Sequence, residues 1–379
     1  MASWNWLTQP PTPYTRSFAL RVAAKAAFLF ILVNLAFAAL NPLPLLGQIA
    51  VYNVLVPGRL RLPYGENSEQ SYNLSLMSLD AMFASHEVAQ PKAADEYRVL
   101  VLGDSSTWGI LLRPEETLAG ILNAGNYTAL DGRRMRFYNL GHPVMSLAKD
   151  LLLLDYAMRY EPDAIVWLFT AQSFPREQQL YPPLVQHNAE AMRRLISEYG
   201  LQLDPQDERL VNPSLIERTL VGRRRDLADW LRLQLYGFAW GATGIDQYYP
   251  PSYMPRSEDF DEDISWQGIH EPRALTEDDL AFDVLAAGIA RAGNRPVLLV
   301  NEPMFISSGR NSHLRYNFFY PRWAYDSYRR LLTRIAEQRG WQLLDLWDAI
   351  APDEFTDSPV HLTPEGVREL GELVAARVE

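Results

Sequence analysis

Two kinds of hydrophobic pattern alternate along the carboxyl-terminal three quarters of the chain. Short unbroken apolar runs occur at RVLVLG (98–103), MRFYNLG (135–141), AIVWLF (164–169), RPVLLVNEP (295–303) and WQLLDLW (341–347). Runs of this length read as strands covered on both faces. Between and after them, SLAKDLLLLDYAMRY, WAYDSYRRLLTRIAEQRG and TPEGVRELGELVAARVE carry apolar residues every three or four positions, the spacing of helices. The alternation predicts an α/β fold: a flavodoxin-like three-layer α/β/α sandwich around a five-stranded parallel sheet. One interval breaks the rhythm. Residues 174–293, about 120 in all, are too many for a crossover. They predict a large helical and irregular cap, with helices near 185–199 and 215–236 and an aromatic, acidic stretch over 248–266.

The amino end has a different pattern. Val22–Leu40, VAAKAAFLFILVNLAFAAL, is about as long as a tilted helix needs to cross a bilayer. Arg16, Arg21 and Lys25 precede it or lie near its start with no acid among them, which predicts a cytoplasmic amino terminus, although Arg59 and Arg61 follow closely. Ala36-Phe37-Ala38 has the form of a signal-peptide cleavage site, but the long mixed segment ahead of the apolar run favours an uncleaved anchor. The expected organisation is a cytoplasmic segment (1–21), a transmembrane anchor (22–40), a juxtamembrane linker (41–97) and a main domain (98–379). That places a single-pass protein in the cell membrane with its carboxyl-terminal domain outside the cytoplasm. Two further stretches suit either a lipid surface or ordinary packing: LLGQIAVYNVLVPGRLRLPYGE, apolar then basic, and LRLQLYGFAWGATGI (231–245) in the cap.

Composition narrows the function. A formal charge of −11 without a basic face excludes nucleic acid as a partner. The absence of cysteine removes disulfides, thiolate metal sites and thiol nucleophiles. The six histidines lack metal-ligand spacing, and the first turn lacks the glycines of a dinucleotide or phosphate loop, so no metal or cofactor is expected. The chemistry that remains is at strand ends. Ser105, in GDSSTWG, lies where a parallel sheet places ligands. Gly141 closes the second strand, where a bare backbone N–H can approach a substrate. Gln172 offers an amide after the third strand. His361 stands just before a helix whose start is marked by Thr363-Pro364-Glu365. His142 is expected as a pocket wall, and the aromatic residues from Tyr316 to Tyr325 as a lining or as packing.

The order of GDS, a glycine, an amide and a terminal HLTPEG resembles the SGNH (GDSL-type) hydrolase superfamily over residues 98–379, with the cap as an insertion. The resemblance implies Ser105 as nucleophile and oxyanion donor, Gly141 as a second backbone donor, His361 as the base that takes and returns the proton, and Asp104 as the residue fixing the turn. Two departures stand out. Thr170-Ala171-Gln172-Ser173 replaces the family's Gly-x-Asn-Asp, leaving Gln172 as a longer amide. The family's Asp-x-x-His is displaced: Ser358 is three residues before His361 and Asp357 four. Three arrangements stay open: Asp357 reaching His361 through a bulge at Pro359, a Ser-His dyad steadied by Ser358 or a carbonyl, or an acid from elsewhere, with Glu302 of VNEPMF as the candidate. The expected activity is that of a membrane-anchored serine esterase or O-acyltransferase acting on acyl esters, O-acetylated envelope polysaccharide among them. Its expected contacts are the ester, membrane lipid through the amino-terminal helix, and membrane proteins. The alternative is a catalytically inactive SGNH-like subunit of a membrane assembly.

Overall fold

Five strands, β1 (Glu96–Leu102), β2 (Arg134–Asn139), β3 (Ala164–Phe169), β4 (Val297–Asn301) and β5 (Gln342–Asp345), form one parallel sheet in the order β2-β1-β3-β4-β5. The computed structural model describes residues 15–55, 58–65, 67 and 69–378. Residues 1–14 of the expected cytoplasmic segment, and Val56, Pro57 and Glu66 of the expected surface stretch, lie outside them. The longer helices are α1 (Arg16–Leu40), α2 (Leu118–Ala124), α3 (Leu147–Ala157), α4 (Ala189–Tyr199), α5 (Arg224–Thr243), α6 (Phe282–Ala292), α7 (Arg322–Arg339) and α8 (Pro364–Val378).

Why the strands read as unbroken apolar runs is visible in their two faces. Leu100, Leu102, Ile165 and Trp167 enter one core with residues of α3, α6 and α7. Val99, Val101, Val166 and Leu168 enter the other with α2 and α8. The inner strands β1, β3 and β4 therefore bury both of their alternating faces, while the edge strand β5 is only partly covered. A Cβ at Gly288 of α6 would lie 2.2 Å from the Trp167 ring, so glycine is what lets this helix settle on the sheet. Because α6 packs on the sheet against α3, it is an ordinary crossover helix. The insertion thus ends about a dozen residues before the boundary expected at 293.

Chain order reverses at β1, with β2 on one side and β3 on the other. The carboxyl ends of β1 and β3 flank this switch point, the place where open α/β sheets bind ligands.

The chain divides into two units. In the smaller, residues up to Leu43 with Pro213–Ala228, α1 starts at Thr15, whose Oγ1 accepts from Phe18 N, and stops at Asn41, in the left-handed region with φ 41°. This 25-residue helix contains an 18-residue window of mean hydropathy 2.1, enough to cross a membrane by length and composition, as a signal sequence also would be. Asn34, within it, accepts from Val221 N at 3.1 Å.

The larger unit takes in Pro44–Asn212 and Asp229–Glu379. Residues from Pro44 to Asp95 are therefore no linker: Tyr52, Leu62, Leu74, Met82, Phe83 and Val88 belong to the main core. Arg59 and Arg61, in a stretch that suited either a lipid surface or ordinary packing, are buried. Arg61 makes a two-pronged pair with Asp246 at 2.5 and 2.7 Å, and Arg59 donates to Tyr72 O and Asn73 Oδ1. Irregular chain can be buried in this way because its polar groups find internal partners.

Candidate active site

The site begins where β1 ends. Asp104 caps the one-turn helix Ser105–Trp108, its Oδ1 accepting from Ser106 N at 2.8 Å. Gly103 has no side chain to collide with Thr107, whose Oγ1 would lie 2.1 Å from a Cβ there. Ser105 stands at the first position of the turn, where a helical N–H has no intrahelical acceptor and can meet an anion. At the other end, Gly109 stops the turn with φ 91°. Arg61 closes this end by donating to Trp108 O and Gly109 O at 3.2 and 2.8 Å.

His361 Nε2 lies 2.9 Å from Ser105 Oγ, and His361 Nδ1 lies 2.9 Å from Asp357 Oδ1. The 256 positions between serine and histidine are thus closed to hydrogen-bond distance. A short antiparallel pairing brings the acid into place: Phe355 bridges Leu362, and Thr356 N donates to His361 O at 2.8 Å. Asp357–Val360 then form the turn of a small hairpin, tightened by Val360 N on Ser358 Oγ at 3.2 Å. Across that turn a carboxylate four residues before the histidine faces the imidazole. Burial raises the Asp357 pKa, but the hydrogen bond and charge of His361 outweigh it, and the carboxyl ends below its ordinary range.

Glu302 is elsewhere. It is buried and accepts a short hydrogen bond from Ser106 Oγ, so it is neither a rim residue nor the partner of His361. Burial first, then the charge of Asp104, pushes its pKa well up. A folded-state pKa above the unfolded one means that its contribution to stability is complete below about pH 4.3 and declines as pH rises toward the folded value. Glu302→Gln, which mimics the protonated acid, is expected to match the parent in acid and to gain on it as pH rises to about 8, with ester turnover kept within about ten-fold. Urea unfolding across pH, paired with an esterase assay, checks this. A variant that loses turnover about a thousand-fold while staying folded would return Glu302 to the mechanism.

Two expected oxyanion donors are engaged otherwise. Gly141 N donates to Asn139 Oδ1 at 3.0 Å, and a Cβ on Gly141 would lie 2.3 Å from Trp108 N. Its bareness serves close packing of the β2 loop on the turn that carries Ser105. The Gln172 side-chain amide donates to Gln178 Oε1 at 3.3 Å. In the same β2 loop, Val144 holds φ 77°, and Leu111 beyond the Ser105 turn holds φ 67°. Such backbone costs about 1–3 kcal/mol per residue and concentrates at functional sites.

Sequence reasoning also missed Lys149. This lysine of α3 is fully buried and donates through Nζ to Gly103 O at 2.9 Å and to His142 O at 2.5 Å. One ammonium thereby ties the turn before Ser105 to the loop after β2. His142 is buried, edge-on to the Tyr64 ring with centroids 5.5 Å apart. Burial and then the Lys149 charge bring its pKa down to about 3, which keeps it neutral and unsuited to be the base. Tyr316, Tyr320 and Tyr325 are core residues, in edge-on and tilted contact with one another and with Trp347.

Beside the loop that carries Asp357 and His361 is a cavity of about 150 Å³, lined by Leu111, Leu112, Tyr249, Pro250, Tyr253 and the residues flanking His361, among them Thr356 and Leu362. The cap contributes Tyr249, Pro250 and Tyr253, and Gln247 fastens this part of it by donating to Gly109 O and Leu112 O at 2.8 and 2.7 Å.

No family model and no curated protein matches the chain. Among solved structures, it is similar to a lipase/acylhydrolase from Enterococcus faecalis, at 13% identity over 74% of this chain and 94% of that one, with a TM-score of 0.37. A member of the lipolytic protein G-D-S-L family from Veillonella parvula gives 10% identity, 74% and 96% coverage and a TM-score of 0.36. A carbohydrate acetylesterase family member from Sinorhizobium meliloti gives 14%, 74% and 96%, and 0.33. Likenesses at these scores carry no functional argument, so the functional reading rests on the geometry of Ser105, His361 and Asp357.

Proposed function

We propose that the chain is a serine esterase of the SGNH type, tethered by α1 and acting outside the cytoplasmic membrane on esters of short acyl groups. The observation that carries this reading is the continuous line of hydrogen-bond contacts from Ser105 through His361 to Asp357. In the first step Ser105 Oγ attacks the ester carbonyl while its proton passes to His361 Nε2. Asp357 accepts from Nδ1–H, fixes the tautomer and steadies the imidazolium. The Ser105 N–H meets the developing oxyanion. Collapse of the tetrahedral species breaks the bond to the leaving alcohol, which takes the proton from His361. Water, deprotonated by His361, then cleaves the acyl-serine, releasing the acid and restoring Ser105. If a carbohydrate hydroxyl replaces water in this step, the same site performs O-acyl transfer.

Cavity size supports a short acyl group. A cavity of about 150 Å³ is of the size that holds a benzene ring, and its walls are mostly apolar. p-Nitrophenyl acetate and butyrate are expected to be turned over at least about ten-fold more efficiently, in kcat/KM, than the palmitate ester, since most of a long chain would find no cavity to bury it. Folded protein that hydrolyses none of these esters overturns the reading. Preference for palmitate overturns the acyl-size part alone.

The inactive-subunit reading drew on the displaced acid and the altered third block. Asp357 at 2.9 Å from the imidazole speaks against the first of these grounds; the Gln172 amide, bonded to Gln178, leaves the second in place.

A further inference from the structure

No charged residue occurs between Lys25 and Arg59, so the uncharged sequence of α1 continues well past its end at Leu40. Beyond it, Leu45, Val54 and Leu55 expose 69, 84 and 72% of their surface, and Ile49 and Val51 are also exposed. A second apolar stretch, about 180 positions later, packs beside this one within the larger unit. Gln234 of α5 accepts from Val51 N at 2.8 Å and donates to Ile49 O at 3.1 Å, and Trp230 Nε1 donates to Ile49 O at 3.3 Å. Gly237 fits against the Tyr52 ring. These contacts pair Val51 N and Ile49 O with side chains of α5, the kind of internal pairing that a surface entering lipid needs. Outward from it α5 presents Leu231, Leu235, Phe238 and Ala242, one stripe at helical spacing, all exposed, with Leu235 at 69%. From Leu231 to Ile245 the one charged residue is Arg232, paired with Asp229 at 2.8 Å.

We infer that the exposed apolar side chains of residues 45–55 and the outer stripe of α5 form a docking surface that lies in the interfacial zone of a lipid bilayer. The occupant follows from chain continuity. Leu45 follows Leu40 by five chain steps, which can span at most about 18 Å. If α1 crosses a membrane, as the proposed function holds, Leu45 cannot lie farther than that from the helix end. Its exposed side chains are uncharged and apolar, which matches the acyl-headgroup boundary. The cap that carries α5 also carries Tyr249 and Tyr253 of the cavity wall, so docking would set the catalytic pocket at a fixed height above the bilayer.

The absence of cysteine makes the test direct. Single cysteines at Val33, Val54, Leu235 and Leu130 of the full chain are labelled with nitrobenzoxadiazole. The protein is then reconstituted into phosphatidylcholine nanodiscs with and without lipid spin-labelled high on the acyl chain. Leu130, 99% exposed, is the aqueous control and Val33 reports the anchor. Labels at Val54 and Leu235 are expected to lose about half their emission to the spin label, as groups about 5–10 Å into the interface should, while the one at Leu130 loses almost none. Quenching at Val33 alone overturns the docking surface and leaves the anchor standing. Quenching at none of the sites overturns both. A blue shift at Leu235 without lipid quenching points to a second copy as occupant and also overturns the inference.

Discussion

Ser105→Ala is expected to leave the fold unchanged and to lower ester turnover by about a million-fold, the order lost when a triad loses its nucleophile. The prediction follows from the geometry: the Ser105 hydroxyl is the group within hydrogen-bond reach of His361 Nε2, and Ser106 next to it is held by Glu302. Asp357→Asn should cost less, about ten-thousand-fold, because the serine and imidazole remain while the tautomer is no longer held. Steady-state kinetics on p-nitrophenyl acetate, with circular dichroism as the control for folding, reads both. Equal turnover by the parent and Ser105→Ala would remove the nucleophile from the account.

Lys149→Met is expected to destabilise the larger unit by about 3–5 kcal/mol, the usual cost of leaving buried polar partners without their charge. Three groups lose a partner at once: Gly103 O, His142 O and the Asp150 carboxylate, whose Oδ1 lies 2.8 Å from Nζ as a charge contact without hydrogen-bond alignment. Burial already raises the Asp150 pKa to about 6 despite the lysine, so without Lys149 this acid should protonate. Urea unfolding reads the loss, and adding Asp150→Asn to Lys149→Met should recover part of it. Because the same ammonium ties the Ser105 turn to the β2 loop, the folded fraction of Lys149→Met should also show a lower kcat with little change in KM. A loss of stability under about 1 kcal/mol would contradict the clamp.

How much of this was legible beforehand depended on where each side chain's partners lie. The strands were, because burial on both faces leaves unbroken apolar runs such as AIVWLF. Ser105 and His361 were, because a strand end and a helix start are local features that place them on one sheet edge. Asp357 was one of three open choices, since its reach to His361 depends on the pairing of Phe355 with Leu362, which no spacing rule contains. Lys149, Arg59 and Arg61 were passed over because charges in a sequence read as surface, and only long-range acceptors such as Asp246 and Gly103 O make their burial tolerable. Gly141 was noticed for the right property without its neighbour: the absence of a side chain serves the approach of Trp108 N. Residues 44–95 looked like a linker because they carry few repeating elements, yet their side chains fill the core.

The most direct measurement is mass mapping of the fluorophosphonate adduct on the folded, full-length protein. A phosphonyl group forms on a serine only where a neighbouring base activates it. The account predicts one adduct, on Ser105, lost in His361→Ala and strongly slowed in Asp357→Asn. An adduct on Ser106, or none on protein shown to be folded, would contradict it.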